Sequence, residues 1–230
     1  MPSPRETRAV LERLTDEAVG TSLDLFSRLR GAPAARRLAL LDGLPDAIDY
    51  YAEGSAALAA DFYEEERELA GVREAFAAEL VIADRTVKTR RAIAWSTQPL
   101  FDDGSAEAIE AGLLTTSSRL AEVIHLDVAR PFRDTITTNR QNDPAAVGWR
   151  RITNGGCGFC RMLADRGAVY RDVTARFAAH KRCRCTAQPV FKTSDPGVEA
   201  SVMQYKASRR SKSPEQRAQL NAYIAEYFPG

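Results

Sequence analysis

Four cysteines occur in this 230-residue chain, and all of them fall within residues 157–185. They read Cys157-Gly-Phe-Cys160 and then, beyond a short intervening stretch, His180-Lys-Arg-Cys183-Arg-Cys185. A Cys-x-x-Cys turn points two thiolates toward one side of a tetrahedron, and a second short knuckle closes the other side. Cys157, Cys160, His180, Cys183 and Cys185 are thus five candidate ligands for the four positions around one zinc ion. Cys157 and Cys160 form one pair. His180 and Cys183 have His-x-x-Cys spacing, and Cys185 is either surplus or the replacement for His180. In a cytosolic chain, thiols clustered in this way bind metal more often than they form disulfides. Arg161, Arg176, Lys181, Arg182 and Arg184 are positioned in sequence to lower the thiol pKa values and offset thiolate charge. Tyr170 and Phe177 are candidates to pack beneath the metal.

The chemistry expected of such a site is structural rather than catalytic. A catalytic zinc keeps an open position beside a general base. The only acids between the cysteine pairs are Asp165 and Asp172, at no recognisable motif spacing. The chain has two histidines, His125 and His180, and no His-Glu-x-x-His motif. The His-x-Glu and Pro-Cys-x-x-Cys signature of zinc deaminases is absent, as is a Gly-x-Ser-x-Gly elbow. His125 lies in a helical apolar run with Val123, Ile124 and Leu126, where a satisfied or partly exposed helix histidine is expected. The chain therefore reads as a non-enzyme without a small-molecule substrate, its zinc holding together a segment too short and glycine-rich to fold on its own core.

The elements that must position this cluster are mostly helical. Val10, Leu11, Leu14, Ala18 and Val19 recur at helical spacing. Gly31 with Pro33, and then Gly43 with Pro45, predict breaks on either side of a short helix. A second long helix is predicted from Asp46 to about Ala70, with Glu64-Glu65-Glu66 on a solvated face, and a third over roughly 72–95, ending before Gln98-Pro99. Ser105 can cap a fourth, which Pro131 must kink or restart and which ends near Asp143-Pro144. Glycines then cluster, and Ala168-Val169-Tyr170 and Gln188-Pro189-Val190-Phe191 read as short strands. Ser213-Pro214-Glu215-Gln216 is a capping box that opens a last helix. The fold class expected is mainly α: a helical domain over 1–146, a small α+β zinc-stapled domain over 147–192, and a polar linker with a C-terminal helix over 193–230.

The net charge of +1 conceals two halves. Residues 1–84 hold 9 Lys/Arg against 17 Asp/Glu, and the remainder 23 against 14. The basic part, including Arg130, Arg133, Arg140, Arg150 and Arg151, could meet an acidic protein surface or nucleic acid, but charge alone favours solvated helix faces, and this arginine run lacks the interleaved aromatics of single-strand stacking. No apolar run approaches the roughly 18 residues of a membrane span. The N-terminal MPSPRETRAV has no apolar core, so a secretory signal is not expected.

The segment GWRRITNGGCGFCRMLADRGAVYRDVTARFAAHKRCRCTAQPVF resembles the Mu F-like head morphogenesis (minor capsid) proteins of tailed phages, in the type found in actinobacteriophages. The residues that carry the resemblance are Cys157, Cys160, Leu163, Gly167, Tyr170, Phe177, His180, Cys183, Arg184, Cys185 and Pro189. Upstream, ADRTVKTRRAIAW and FRDTITTNRQNDP extend the likeness to about residues 80–192. The resemblance implies a low-copy structural protein of the capsid interior, assembled in the host cytoplasm. It further implies action with the portal protein, and with major capsid or scaffold proteins, in head assembly or in DNA packaging and ejection. The competing expectation, from charge, is a zinc-dependent nucleic-acid-binding protein.

Overall fold

Helix α1 (Pro4–Arg28) begins where the sequence provides a complete cap. Ser3 Oγ accepts from the Glu6 N–H, the Glu6 carboxylate accepts from the Ser3 N–H, and Pro4 occupies the first helical position. A computed structural model describes residues 3–102, 104–153, 156–167, 177, 179, 183–191 and 213–229. Helix α2 (Pro33–Leu69), helix α3 (Thr86–Ser96) and helix α4 (Ala106–Asn142) follow, with a 3-10 turn at Gln98–Phe101. Strand β1 (Gly148–Ile152), helix α5 (Gly158–Asp165), strand β2 (Thr186–Val190) and helix α6 (Pro214–Tyr227) complete the described elements.

The long helices α1, α2 and α4 form a three-helix bundle, α2 and α4 running roughly 55 Å each at 1.5 Å per residue. Phe26, Leu40, Leu44, Ile93 and Leu120 fill one end of its core. Leu11, Phe62, Tyr63, Phe132 and Ile136 fill the other. Trp149 and Ala187, which lie beyond the division expected at residue 147, belong to that second cluster. The bundle and the small sheet therefore share buried side chains. No described helix is long and apolar enough to cross a membrane.

Three expected helix boundaries are corrected. Gly43 and Pro45 do not interrupt α2, and Pro45 is buried inside it. A proline in a helix deprives the carbonyl four residues earlier of its donor. Here that carbonyl, Leu41 O, accepts from Arg90 Nη1 of α3 at 2.6 Å. Pro131 likewise does not restart α4, which continues to Asn142. Finally, residues 72–85 contain no helix. Side chains of the bundle take up their backbone groups instead: Asn139 accepts from Glu79 N and donates to Glu79 O, and Thr135 accepts from Val81 N. Nor is the acidic run wholly solvated, because Glu66 accepts from Gln188 of β2 at 2.7 Å.

The caps at Ser105 and Ser213 form as the sequence predicts. Strand β2 overlaps the predicted 188–191 segment but runs from Thr186 to Val190, and its partner β1 has no counterpart among the expected strands. The stretch Ala168-Val169-Tyr170 lies outside the described residues.

Candidate metal centre

The antiparallel register of β1 and β2 pairs Gly148 with Val190 and Ile152 with Thr186. It follows that the chain leaving β1 and the chain arriving at β2 are neighbours. The outgoing chain turns through Thr153 and Gly156 into α5, whose first turn carries Cys160. The incoming chain brings Cys183 and Cys185 to the same place. All three thiols are buried, and their sulfurs lie within 4.8 Å of one another. Cys160 Sγ and Cys183 Sγ are 3.8 Å apart. A tetrahedron built on Zn–S bonds of about 2.3 Å has an edge of about 3.8 Å, so this spacing suits a bound metal. Gly156 allows the close approach, since a Cβ there would stand 2.6 Å from Thr153 Oγ1 and 3.0 Å from Cys160 Cβ.

Two arginines brace the cluster, and neither is among the five basic residues the sequence suggested. Arg133 of α4 is 3% exposed and donates to the carbonyls of Cys183 at 2.6 Å and Cys185 at 3.0 Å. Arg151 of β1, equally buried, places Nη1 3.7 Å from Cys183 Sγ. Both guanidiniums lie over the Phe177 ring, at 4.9 and 3.8 Å from its centroid, and Trp149 stacks on that ring. Hydrogen bonds from the Cys160 and Cys185 thiols, with the Arg133 charge nearby, hold Cys183 far below the usual thiol range. The hydrogen bond to Cys183 pushes Cys160 up in compensation. Three sulfurs gathered in a buried site beside the Arg133 and Arg151 guanidiniums make a soft donor set suited to zinc.

The expected ligands are partly reunited. Cys160, Cys183 and Cys185 come together. Cys157 caps α5, is exposed, and stands outside that group of three. His180 lies outside the described residues, as do Tyr170, Asp172, Arg176, Lys181 and Arg182. No disulfide joins the four cysteines. Of the remaining suggested cations, Arg184 pairs with Asp16 of α1 at 3.0 Å, and Arg161 donates to the carbonyls of Phe228 and Pro229. Arg133 and Arg151 are internal rather than available to phosphate, a correction to the charge reading. The signal that could have found Arg133 is its position among Val128, Ala129, Phe132 and Ile136, all on the buried side of α4.

His125 is also corrected. It is 6% exposed, and neither ring nitrogen has a hydrogen-bond partner among the described residues. Burial, followed by the charges of Arg133 and Arg184, lowers its pKa. Helix α5 is in turn gripped by α6, where Leu220, Tyr223, Ile224 and Phe228 pack on Met162 and Leu163. Gly158 permits this contact, because a Cβ there would meet Phe228 O at 2.5 Å.

Among known proteins, the model of a family described as VG15 protein matches residues 3–208, nearly the whole chain. No curated protein and no solved structure matches it.

Proposed function

Since the chain belongs to the VG15 protein family, a phage-associated family, we propose that it is a minor head protein of a tailed phage carrying one structural zinc. Cys160, Cys183 and Cys185 supply three ligands, and Cys157 or His180 supplies the fourth. When bound, the metal cross-links the start of α5 to the chain preceding β2. Arg133 and Arg151 orient that chain and balance the sulfur charge. The protein is a non-enzymatic component of the capsid interior that docks on the portal during head assembly, DNA packaging or ejection.

The observation that supports this reading is the buried three-sulfur cluster. It is formed by cysteines that also carry the resemblance to Mu F-like head proteins. The zinc and the head assignment are tested separately. Elemental analysis of the purified protein should give about one zinc per chain, with thiols that react only after chelation. Mass spectrometry of purified particles should find the chain at low copy, and tagged protein should co-purify with the portal. Four freely reactive thiols in the folded, metal-free protein would overturn the zinc assignment. Absence from particles would overturn the head assignment.

A further inference from the structure

Helix α3 has a buried side formed by Thr89, Ile93 and Ser96 and an outer side that the bundle does not cover. Four cations occur between residues 85 and 91, and α3 itself contains no acid. Two of these cations have internal duties. Arg85 pairs with Asp127 at 3.0 Å, and Arg90 donates to Leu41 O. The other two, Lys88 and Arg91, are exposed and have no hydrogen bond or ion pair among the described residues.

On the same side, one and two turns farther along, stands Trp95 with 46% of its surface exposed. An indole half in water forgoes much of the apolar burial that its size offers. The Arg119 guanidinium of α4 lies 4.5 Å from the Trp95 ring centroid and donates to Trp95 O at 3.4 Å. This holds a third cation beside the ring.

We propose that this outer face of α3, formed by Lys88, Arg91 and Trp95 with Arg119 of α4, binds a nucleic-acid strand. Lys88 and Arg91 take backbone phosphates, and Trp95 provides a platform for an unpaired base. The pairing of point charges with a flat ring is the chemistry of sequence-tolerant single-strand binding. An acidic protein segment would satisfy the cations but has no use for an exposed indole held in place by an arginine. The excess of Lys/Arg over Asp/Glu, 23 to 14 beyond residue 84, draws a polyanion toward this half of the chain. The proposal is independent of the metal centre, which uses none of these residues.

The test uses the full chain and a fluorescein-labelled 20-nucleotide oligothymidylate, with a duplex of equal length alongside. The protein has two tryptophans, and Trp149 is only 2% exposed, so quenching of indole emission reports Trp95. The expected result is binding at 50 mM salt, tighter for the single strand, with quenched emission. The double variant Lys88→Glu/Arg91→Glu should bind at least tenfold more weakly. Its log K against log salt slope should fall by about 0.7 for each phosphate no longer neutralised. Trp95→Ala should lose about tenfold and leave the slope unchanged. All three side chains are exposed, so circular dichroism should show unchanged folding. Absence of binding at 50 mM salt, or binding insensitive to these substitutions, would overturn the proposal. Displacement by polyglutamate at matched charge, without any quenching by the oligonucleotide, would assign the face to an acidic protein and overturn it equally.

Discussion

Replacing Arg133 by methionine isolates the contribution of the bundle to the cysteine cluster. Methionine keeps the length and apolar stem of the side chain but removes the guanidinium that bridges Cys183 O and Cys185 O. Each hydrogen bond from a charged donor contributes about 1.5–3 kcal/mol. The variant makes neither bond, and two carbonyls close to buried chain are left without this donor. Against this, it no longer desolvates a cation that is 3% exposed. The net loss expected is about 3 kcal/mol, which at about 2–4 °C per kcal/mol for a chain of this size lowers the Tm by roughly 6–12 °C. The local effect should exceed the global one. With Cys183 and Cys185 released from α4, thiol reagent should modify the native variant under conditions where the parent resists. Differential scanning calorimetry with thiol counting on the folded protein measures both. A variant with the parent's Tm and equally protected thiols would refute the claim that Arg133 holds the knuckle in place.

Asp143 accepts from Arg67 Nε at 2.6 Å, from Tyr63 at 3.2 Å and from Ala145 N at 3.0 Å. Asp143→Ala strands a buried guanidinium and should cost about 3–5 kcal/mol in denaturant unfolding, where a loss below about 1 kcal/mol would contradict the assigned pairing. His125 has a folded-state pKa below its unfolded value, so the unfolded chain binds the extra proton first. Stability should therefore be full above about pH 6.5 and decline as pH falls from there toward the lowered folded value. Comparing His125→Gln with the parent across pH 5–8 checks this, and an unchanged pH profile would sink it. Gly158→Ala forces a methyl against Phe228 O and Ile224 Cγ2. It should detach α6, making residues 213–229 sensitive to protease while the bundle Tm moves little.

How far the sequence revealed the fold depended on where each residue's partners lie. Caps are local: Ser3, Ser105 and Ser213 each find their donor within three residues, and the helix starts at Ser105 and Ser213 are legible for that reason. A break at Pro45 and a helix over 72–85 are wrong expectations because the deciding groups are remote. Arg90 is 49 positions from Leu41, and Asn139 is 60 from Glu79. The same division holds at the cysteines. Their types and spacing predict a metal site, and three of them converge closely enough to hold an ion. The cations that brace them come from α4 and β1: the helical spacing of Arg133 among buried apolar residues marks it as internal, but its contact with Cys183, 50 positions away, lies outside any local pattern.

The hydrogen bond from Arg90 to Leu41 O has a consequence for the order in which the chain folds. Before α3 docks, the turn around Pro45 lacks a donor, so α2 should form first as two shorter helices meeting at a weak joint. Only the arrival of α3 makes them one rod. Amides flanking residue 45 should then exchange with solvent by an opening that requires α3 to leave rather than by local fraying. Deleting the Arg90 guanidinium should accelerate that exchange and leave the far ends of α2 unaltered. Continuity of this helix is thus a property conferred late, by a neighbour.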